Sequence, residues 1–292
     1  GYYHSDKAAR LKKKFGYKLV MTSHGFHGTE LHELKKQKII DKTSFFNFLR
    51  ELYDSKIGKQ TILGSDHLIA LSNKEKNFYQ KLGVNSSKIS IIPPGIKESY
   101  FTSIQSKIDL DGTPNLITVG ELSWVKSKSL TIKAMPLILE KLPNAKLYII
   151  GKDKNQLIKL KYLLKKLNLS KNVFILGSVS EKELLSYLHS ADILVHTSLA
   201  EGLSTILLEA MATGLPFITT PAGGNGELAK ESNAGIETPF EDEIALANNV
   251  VKFFDKAKLQ ESSQHGKIYS KNLNWNYLYN KILNIYSDFG EK

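Results

Sequence analysis

Apolar residues recur along this chain in two rhythms. From residue 115 onward, short unbroken runs of Val, Ile and Leu alternate with longer stretches whose apolar positions fall three and four apart. NLITVG (115–120), AKLYIIG (145–151), NVFILG (172–177), DILVHTS (192–198), PFITT (216–220) and AGIET (234–238) read as strands. SLTIKAMPLILEKL (129–142), QLIKLKYLLKKLNL (156–169), EKELLSYLHS (181–190), the run after Ser204 and a stretch near 226–232 read as the helices between them. Strands without polar alternation are covered on both faces. Strand–helix alternation at this spacing predicts parallel βαβ units in a doubly wound sheet. Helices over 241–256 and about 258–288 close the chain, the last carrying Trp275, Tyr277, Tyr279 and Tyr286.

The first hundred residues show less of the same alternation. YKLVMTSHG (17–25), DHLIALS (66–72) and KISIIPPG (88–95) read as strands, and three is few for a free-standing parallel sheet. The chain opens on an amphipathic stretch with no strand before it. The fold class is therefore α/β with two lobes: an incomplete first lobe over 1–103 and a second over 104–273, with helix 274–292 packing back on the first. The polar segment 96–114 reads as the linker.

Composition narrows the function classes. With 41% apolar and 24% charged residues the chain is ordinarily globular. No apolar run reaches the length of a membrane-spanning helix, and the N-terminus lacks the apolar core of a signal peptide. The absence of cysteine excludes disulfides and thiolate metal sites and fits a reducing cytoplasm. A net charge of +11 invites nucleic acid, an anionic membrane surface or small phosphorylated substrates. The lysines are spread along helix faces and no zinc-finger, RNA-recognition or basic-zipper signature is present, so no nucleic-acid partner is expected. KTSFFNFLRELYDSKIGK (42–59) sets aromatics among basic residues. Such a helix either packs its aromatics on the first lobe or lies at a membrane interface, which would make the protein peripheral.

The chemistry concentrates in AEGLSTILLEAMATGLP (200–216). The loop follows the strand DILVHTS directly, so it lies at the carboxyl edge of the sheet, where α/β proteins bind ligands. The helix that opens there presents unpaired N–H groups and a partial positive charge suited to a phosphate. Glu209 stands in an otherwise apolar helix, where a carboxylate is costly unless hydrogen bonds reach it. Its side chain leans toward the helix N-terminus, near the loop that carries Glu201. Two carboxylates flanking a phosphate site suit the hydroxyls of a sugar nucleotide; a buried Glu209 pairing with a lysine or amide, and a Glu201 that favours the helix dipole, account for the spacing equally well.

EGLSTILLEAMATGLPFITT resembles the glutamate-x7-glutamate signature of the family-four retaining glycosyltransferases, which have the two-lobed GT-B fold. SDHLIALSNKEKNFYQKLGVNSSKISIIPPGI (65–96) is similar to the end of that family's N-terminal lobe, ITVGELSWVKS (117–127) to its donor-phosphate loop, and AGGNGELAKESNAG (222–235) to its glycine-rich loop and following helix. The resemblance runs from about residue 4 to about 286. It implies two Rossmann-like lobes and transfer of a sugar from a nucleotide-diphosphate sugar, UDP- or GDP-linked, with retained anomeric configuration and no obligatory metal or other cofactor. It also implies that Glu201 holds sugar hydroxyls, Glu209 the ribose, and the amides of Gly202, Leu203 and Ser204 the sugar or diphosphate. Lys126 matches the lysine that reaches the diphosphate, with Lys128 the near alternative and Gly120 opening the loop. Glu121 stands where the family usually has arginine, a charge reversal. His24 matches a cleft histidine, Gly223 and Gly224 approach the donor sugar, and the base lies near Gly177, Ser178 and Val179. Glu227 either approaches the donor sugar with Gly223 and Gly224 or, equally, caps or pairs on its own helix. Enzymes of this family often act on lipid-linked acceptors. Their N-terminal lobe opens with further strands and a glycine-rich loop that this sequence does not show, which implies nucleotide binding with poor sugar transfer by the chain alone.

Overall fold

The computed structural model describes residues 2–22, 34, 35, 38, 58–102 and 107–290. Helix α1 (Tyr2–Phe15), β1 (Val20–Thr22), α2 (Lys59–Gly64), β2 (His67–Ala70), α3 (Asn73–Lys81) and β3 (Ile89–Ile91) form the first lobe, whose parallel sheet runs β1-β2-β3. The second contains β4 (Asn115–Val119), α4 (Lys128–Lys141), β5 (Lys146–Ile150), α5 (Leu157–Lys166), β6 (Val173–Gly177), α6 (Glu181–Ser190) and β7 (Ile193–His196). It continues through α7 (Thr205–Thr213), β8 (Phe217–Thr219), α8 (Asn225–Ser232), β9 (Gly235–Glu237), α9 (Glu243–Phe253) and α10 (Lys256–Ser270), and α11 (Trp275–Gly290) ends the described chain.

The larger sheet is parallel with strand order β6-β5-β4-β7-β8-β9. The chain winds outward from β4 to β6 and then returns to the other side of β4 as β7. The helices that follow β4 and β7 therefore pack on opposite faces of the sheet, and the carboxyl edge between them is the place where such sheets bind ligands. The apolar strand runs are explained by two covered faces. On β4, Leu116 joins a core with Leu130, Ile132 and Val250 on one face, while Ile117 and Val119 join Leu207, Met211 and Phe217 on the other.

Two expectations are corrected. The single helix over 258–288 is two, α10 and α11, separated by a 3-10 turn and by Asn274 in extended conformation. The break has a cause outside the helix: Ile96 N–H donates to Leu273 O at 2.7 Å and Trp275 N–H to Ile96 O at 3.3 Å, drawing the backbone into a bridge with residue 96. Asn274 Oδ1 then caps the new helix by accepting from Tyr277 N–H at 2.9 Å. The segment 96–114 is not simply a polar tether, because Ile96 and Tyr100 are buried in the core of the larger sheet.

Helix α11 lays Leu278 and Ile285 against Ile69 and Ile92 of the first sheet. The lobes also meet directly. Glu227 on α8 accepts from Asn73 N–H at 2.7 Å, Asn73 Nδ2 at 2.7 Å and Lys74 N–H at 2.9 Å, so it caps α3 of the other lobe rather than its own helix. Lys74 Nζ donates to Pro221 O at 3.1 Å. Gly224 sits so close to Ser72 that a Cβ there would lie 2.6 Å from the serine Cβ. Among the described residues no helix is long and apolar enough to cross a membrane.

Candidate active site at the crevice

Because β4 and β7 are neighbours, the loops that follow them run side by side. Leu199 N–H donates to Val125 O at 2.7 Å and Thr197 Oγ1 to Ser127 O at 2.9 Å. That stitching sets Lys126 beside Glu201, and the two form an ion pair through Lys126 Nζ and Glu201 Oε1. His196, the last residue of β7, reaches the same oxygen with Nε2 at 3.0 Å. Glu201 is 8% exposed. Burial alone would push its carboxyl up, but the His196 hydrogen bond and the Lys126 charge outweigh burial and bring it down to about 2, so it is ionised at neutral pH. Burial lowers His196, against the pull of Glu201, and the neutral imidazole donates from Nε2. No described residue hydrogen-bonds Glu201 Oε2.

The helix start beside Glu201 is partly committed. Ser204 N–H donates to the Oδ1 of Asn225, a fully buried side chain, at 3.0 Å, so Ser204 does not have its amide free for a ligand as expected. The amides of Gly202, Leu203, Thr205 and Ile206 make no hydrogen bond with another described residue, and α7 has no side-chain cap. Open donors at and just before a helix N-terminus are able to receive an anion. Gly223 faces this loop with φ +54°, and a Cβ there would lie 2.2 Å from Glu201 O. Gly224 N–H donates to Gly202 O at 2.7 Å. Both glycines thus pin the Glu201 loop to the start of α8.

Lys128 does not reach the crevice. It is 2% exposed, and its Nζ donates to Thr118 Oγ1 and to Val119 O, each at 2.8 Å, beneath Gly120. Burial, helped by Lys126 and opposed by Glu201, lowers its ammonium to about 7. It braces the loop that carries Lys126. Gly120 N–H is bonded to Ile150 O. Glu121 is exposed and pairs with Lys154 at 3.6 Å.

Glu209 has a different neighbourhood from the expected one. Its partners come from the segment after β3 and from α6, not from the Glu201 loop. The hydroxyl of buried Tyr100 lies beside Glu209, and each group shifts the ionisation of the other. Burial and then Glu181 raise the Glu209 carboxyl, against Lys97 and Tyr100. Lys97 in turn pairs with Glu181 at 2.5 Å. Val179 follows β6, three strand positions from β7 or about 14 Å at ordinary strand spacing, and packs against the sheet core. Val179, Glu181 and Glu209 therefore lie along one side of the crevice, and Lys126 and Glu201 at its other end. His24 lies outside the described residues, as does most of 42–59. Among the described residues no cluster of His, Asp and Glu could hold a metal ion.

Sequence reasoning missed His196, Asn225 and Tyr100. His196 carried a signal, an imidazole at the end of an apolar strand run five residues before Glu201. Tyr100 carried none, because only the folded linker brings it to Glu209.

Residues 101–267 match the family described as Glycosyl transferases group 1, and residues 2–100 that described as Glycosyltransferase Family 4. The chain belongs to the group 1 glycosyltransferases. Among its relatives, the GPI3 subunit of phosphatidylinositol N-acetylglucosaminyltransferase from Saccharomyces cerevisiae (strain YJM789) is 26% identical over 287 residues, covering 92% of this chain and 63% of the relative. This group 1 glycosyltransferase chain thus spans under two thirds of the length of that relative. Sucrose-phosphate synthase from Thermosynechococcus elongatus superposes with a TM-score of 0.81 at 20% identity, over 97% of this chain and 71% of that one. Anabaena Alr3699/HepE in complex with UDP superposes with 0.79 at 17% identity, over 99% and 77%. The two parallel sheets and these neighbours make the fold GT-B.

Proposed function

We propose that the chain transfers a sugar from a nucleoside-diphosphate sugar to an acceptor with retained anomeric configuration, binding the donor on the second lobe and the acceptor beside the first. One observation carries the reading: Glu201 has Oε1 held by His196 and Lys126, and Oε2 open beside an uncapped helix start. A fixed carboxylate with one open oxygen accepts sugar hydroxyls. The open amides of Gly202, Leu203, Thr205 and Ile206 seat the diphosphate. Gly223 and Gly224 lie alongside the sugar, Glu209 with Tyr100 takes the ribose, and the Val179 loop borders the base.

In the reaction the anomeric C–O bond to the diphosphate breaks, the acceptor oxygen bonds the same carbon from the same face, and the acceptor's hydroxyl proton passes to the departing phosphate oxygen. Negative charge gathers on the departing diphosphate. Lys126 is the mobile cation that meets it, moving from Glu201 to the leaving oxygen, while Lys128 steadies the loop from below. Positioning and charge stabilisation supply the acceleration. UDP is the favoured nucleotide, since a neighbour of the same fold binds it. GDP-sugars are the alternative. A lipid-linked acceptor fits the relative named for phosphatidylinositol.

A second reading is nucleotide binding without transfer, favoured by Glu121, which puts a carboxylate in the loop that faces the diphosphate. A thermal-shift screen of UDP- and GDP-sugars on the wild type, Glu201→Gln and Glu209→Ala tests the site. A stabilising donor whose shift falls in both variants supports the assignment; equal shifts in all three proteins remove it.

A further inference from the structure

Helix α5 turns a face to solvent that the fold does not use. It packs on the larger sheet, whose edge strand is β6, with Leu160 and Leu164 buried against Val173. On its outward side Ile158 is 85% and Tyr162 69% exposed. One turn apart, they form a continuous apolar centre. At about 100° per residue, Lys161 and Lys165 flank that centre on one side and Lys159 and Lys166 on the other. All four lysines are exposed, and among the described residues none joins an ion pair.

Residues 152–171 hold seven lysines and one acid, Asp153, a net +6 out of +11 for the whole chain. Asp153 is occupied in capping α5, accepting from Gln156 N–H at 2.9 Å and Leu157 N–H at 3.0 Å. Of the seven lysines, Lys154 is partly offset by Glu121.

We propose that this face of α5 docks on a membrane surface rich in anionic phospholipid. Charge alone would suit any polyanion, and the apolar centre decides among them. Against a nucleic-acid backbone, Ile158 and Tyr162 would open a gap in the charged contact. At a lipid interface, isoleucine enters the boundary between headgroups and acyl chains, tyrosine sits at headgroup level, and the lysine stems lie along the surface with their ammonium groups on lipid phosphates. The helix begins just after the carboxyl edge of β5, where residue 153 bridges to Leu122 of the Lys126 loop, so docking would hold the crevice close to the surface. The proposal stands on exposure and charge and does not depend on the glycosyl-transfer reading.

Co-sedimentation of the full chain tests it, using vesicles of phosphatidylcholine and vesicles with a third of that lipid replaced by phosphatidylglycerol. The chain should bind the phosphatidylglycerol vesicles, far less the others, and release as salt is raised. The quadruple variant Lys159→Gln, Lys161→Gln, Lys165→Gln, Lys166→Gln and the double variant Ile158→Ser, Tyr162→Ser should each bind at least tenfold more weakly. Every changed side chain is exposed, so unchanged melting temperatures verify that both variants fold. No vesicle binding by the wild type overturns the proposal. So does wild-type binding by either variant, or tighter binding of a DNA duplex through the same lysines.

Discussion

His196 Nε2 stands 3.0 Å from Glu201 Oε1, and the same oxygen carries the Lys126 ion pair. The imidazole and the ammonium thus hold one carboxylate oxygen from two sides. Replacing His196 by Leu removes a buried hydrogen bond, with a cost of about 1–3 kcal/mol to whichever state needs Glu201 held in place. Affinity for the nucleotide-sugar should fall roughly tenfold, while affinity for the free nucleoside diphosphate, which has no sugar for Glu201 to hold, should stay unchanged. Calorimetry with both ligands checks this, and equal losses would assign His196 a purely structural part.

Glu209 and Tyr100 act at the other end of the crevice. Glu209→Ala should weaken sugar-nucleotide and free nucleoside diphosphate alike, because both carry the ribose. Tyr100→Phe removes the hydroxyl beside the carboxylate and should produce a smaller loss in both. A Glu209→Ala protein that binds free nucleotide normally would show that the ribose lies elsewhere.

Lys128 should leave a signature in the pH dependence of stability. Its folded value of about 7 lies below its ordinary 10.5. Between those values the unfolded chain binds the extra proton, so this group's contribution to stability rises as pH increases from about 7 toward 10.5 and is flat below. Urea unfolding at pH 7 and pH 9.5 should therefore show a gain for the wild type that Lys128→Met lacks. An identical pH response in both proteins would mean that the amine is already charged in the fold.

Glu227 ties the lobes by capping α3. Glu227→Ala should cost about 1 kcal/mol, the usual worth of a helix cap, and speed hydrogen exchange at the Asn73 and Lys74 amides. Mass spectrometry of peptides covering residues 72–80 reads the second effect. Unaltered exchange would show that the Glu227 carboxylate does not hold these amides.

Much of the second lobe was legible because each of its strands is an unbroken apolar run and each helix has its own period. Those patterns are set locally by burial on one face or two. The carboxyl-edge position of Glu201 followed from its place directly after a strand, and Lys126 was reached only through the resemblance of its loop to the family's donor-phosphate loop. What escaped came from contacts distant in sequence. The break at Asn274 depends on backbone bonds to Ile96, the burial of Tyr100 on a turn inside an apparent linker, and the Glu227 cap on a helix about 150 residues earlier in the chain. Glu209 was rightly singled out as anomalous, yet its neighbours were misjudged, since a helix wheel shows the face but not what packs there. Ser204 was misjudged similarly, because the side chain that occupies its amide, Asn225, lies on another helix.

The central claim is that Lys126 and Glu201 serve transfer of a sugar from a nucleoside-diphosphate donor. Its most direct measurement is proton NMR of the donor chosen by the thermal-shift screen, incubated with the wild type and with Lys126→Ala, water serving as acceptor. The account predicts that the wild type releases nucleoside diphosphate and a sugar whose first-formed anomer matches the donor, and that Lys126→Ala is slower by about a hundredfold or more, the scale of removing one charge-stabilising group. Release of the opposite anomer, or an unchanged rate in the variant, would contradict it.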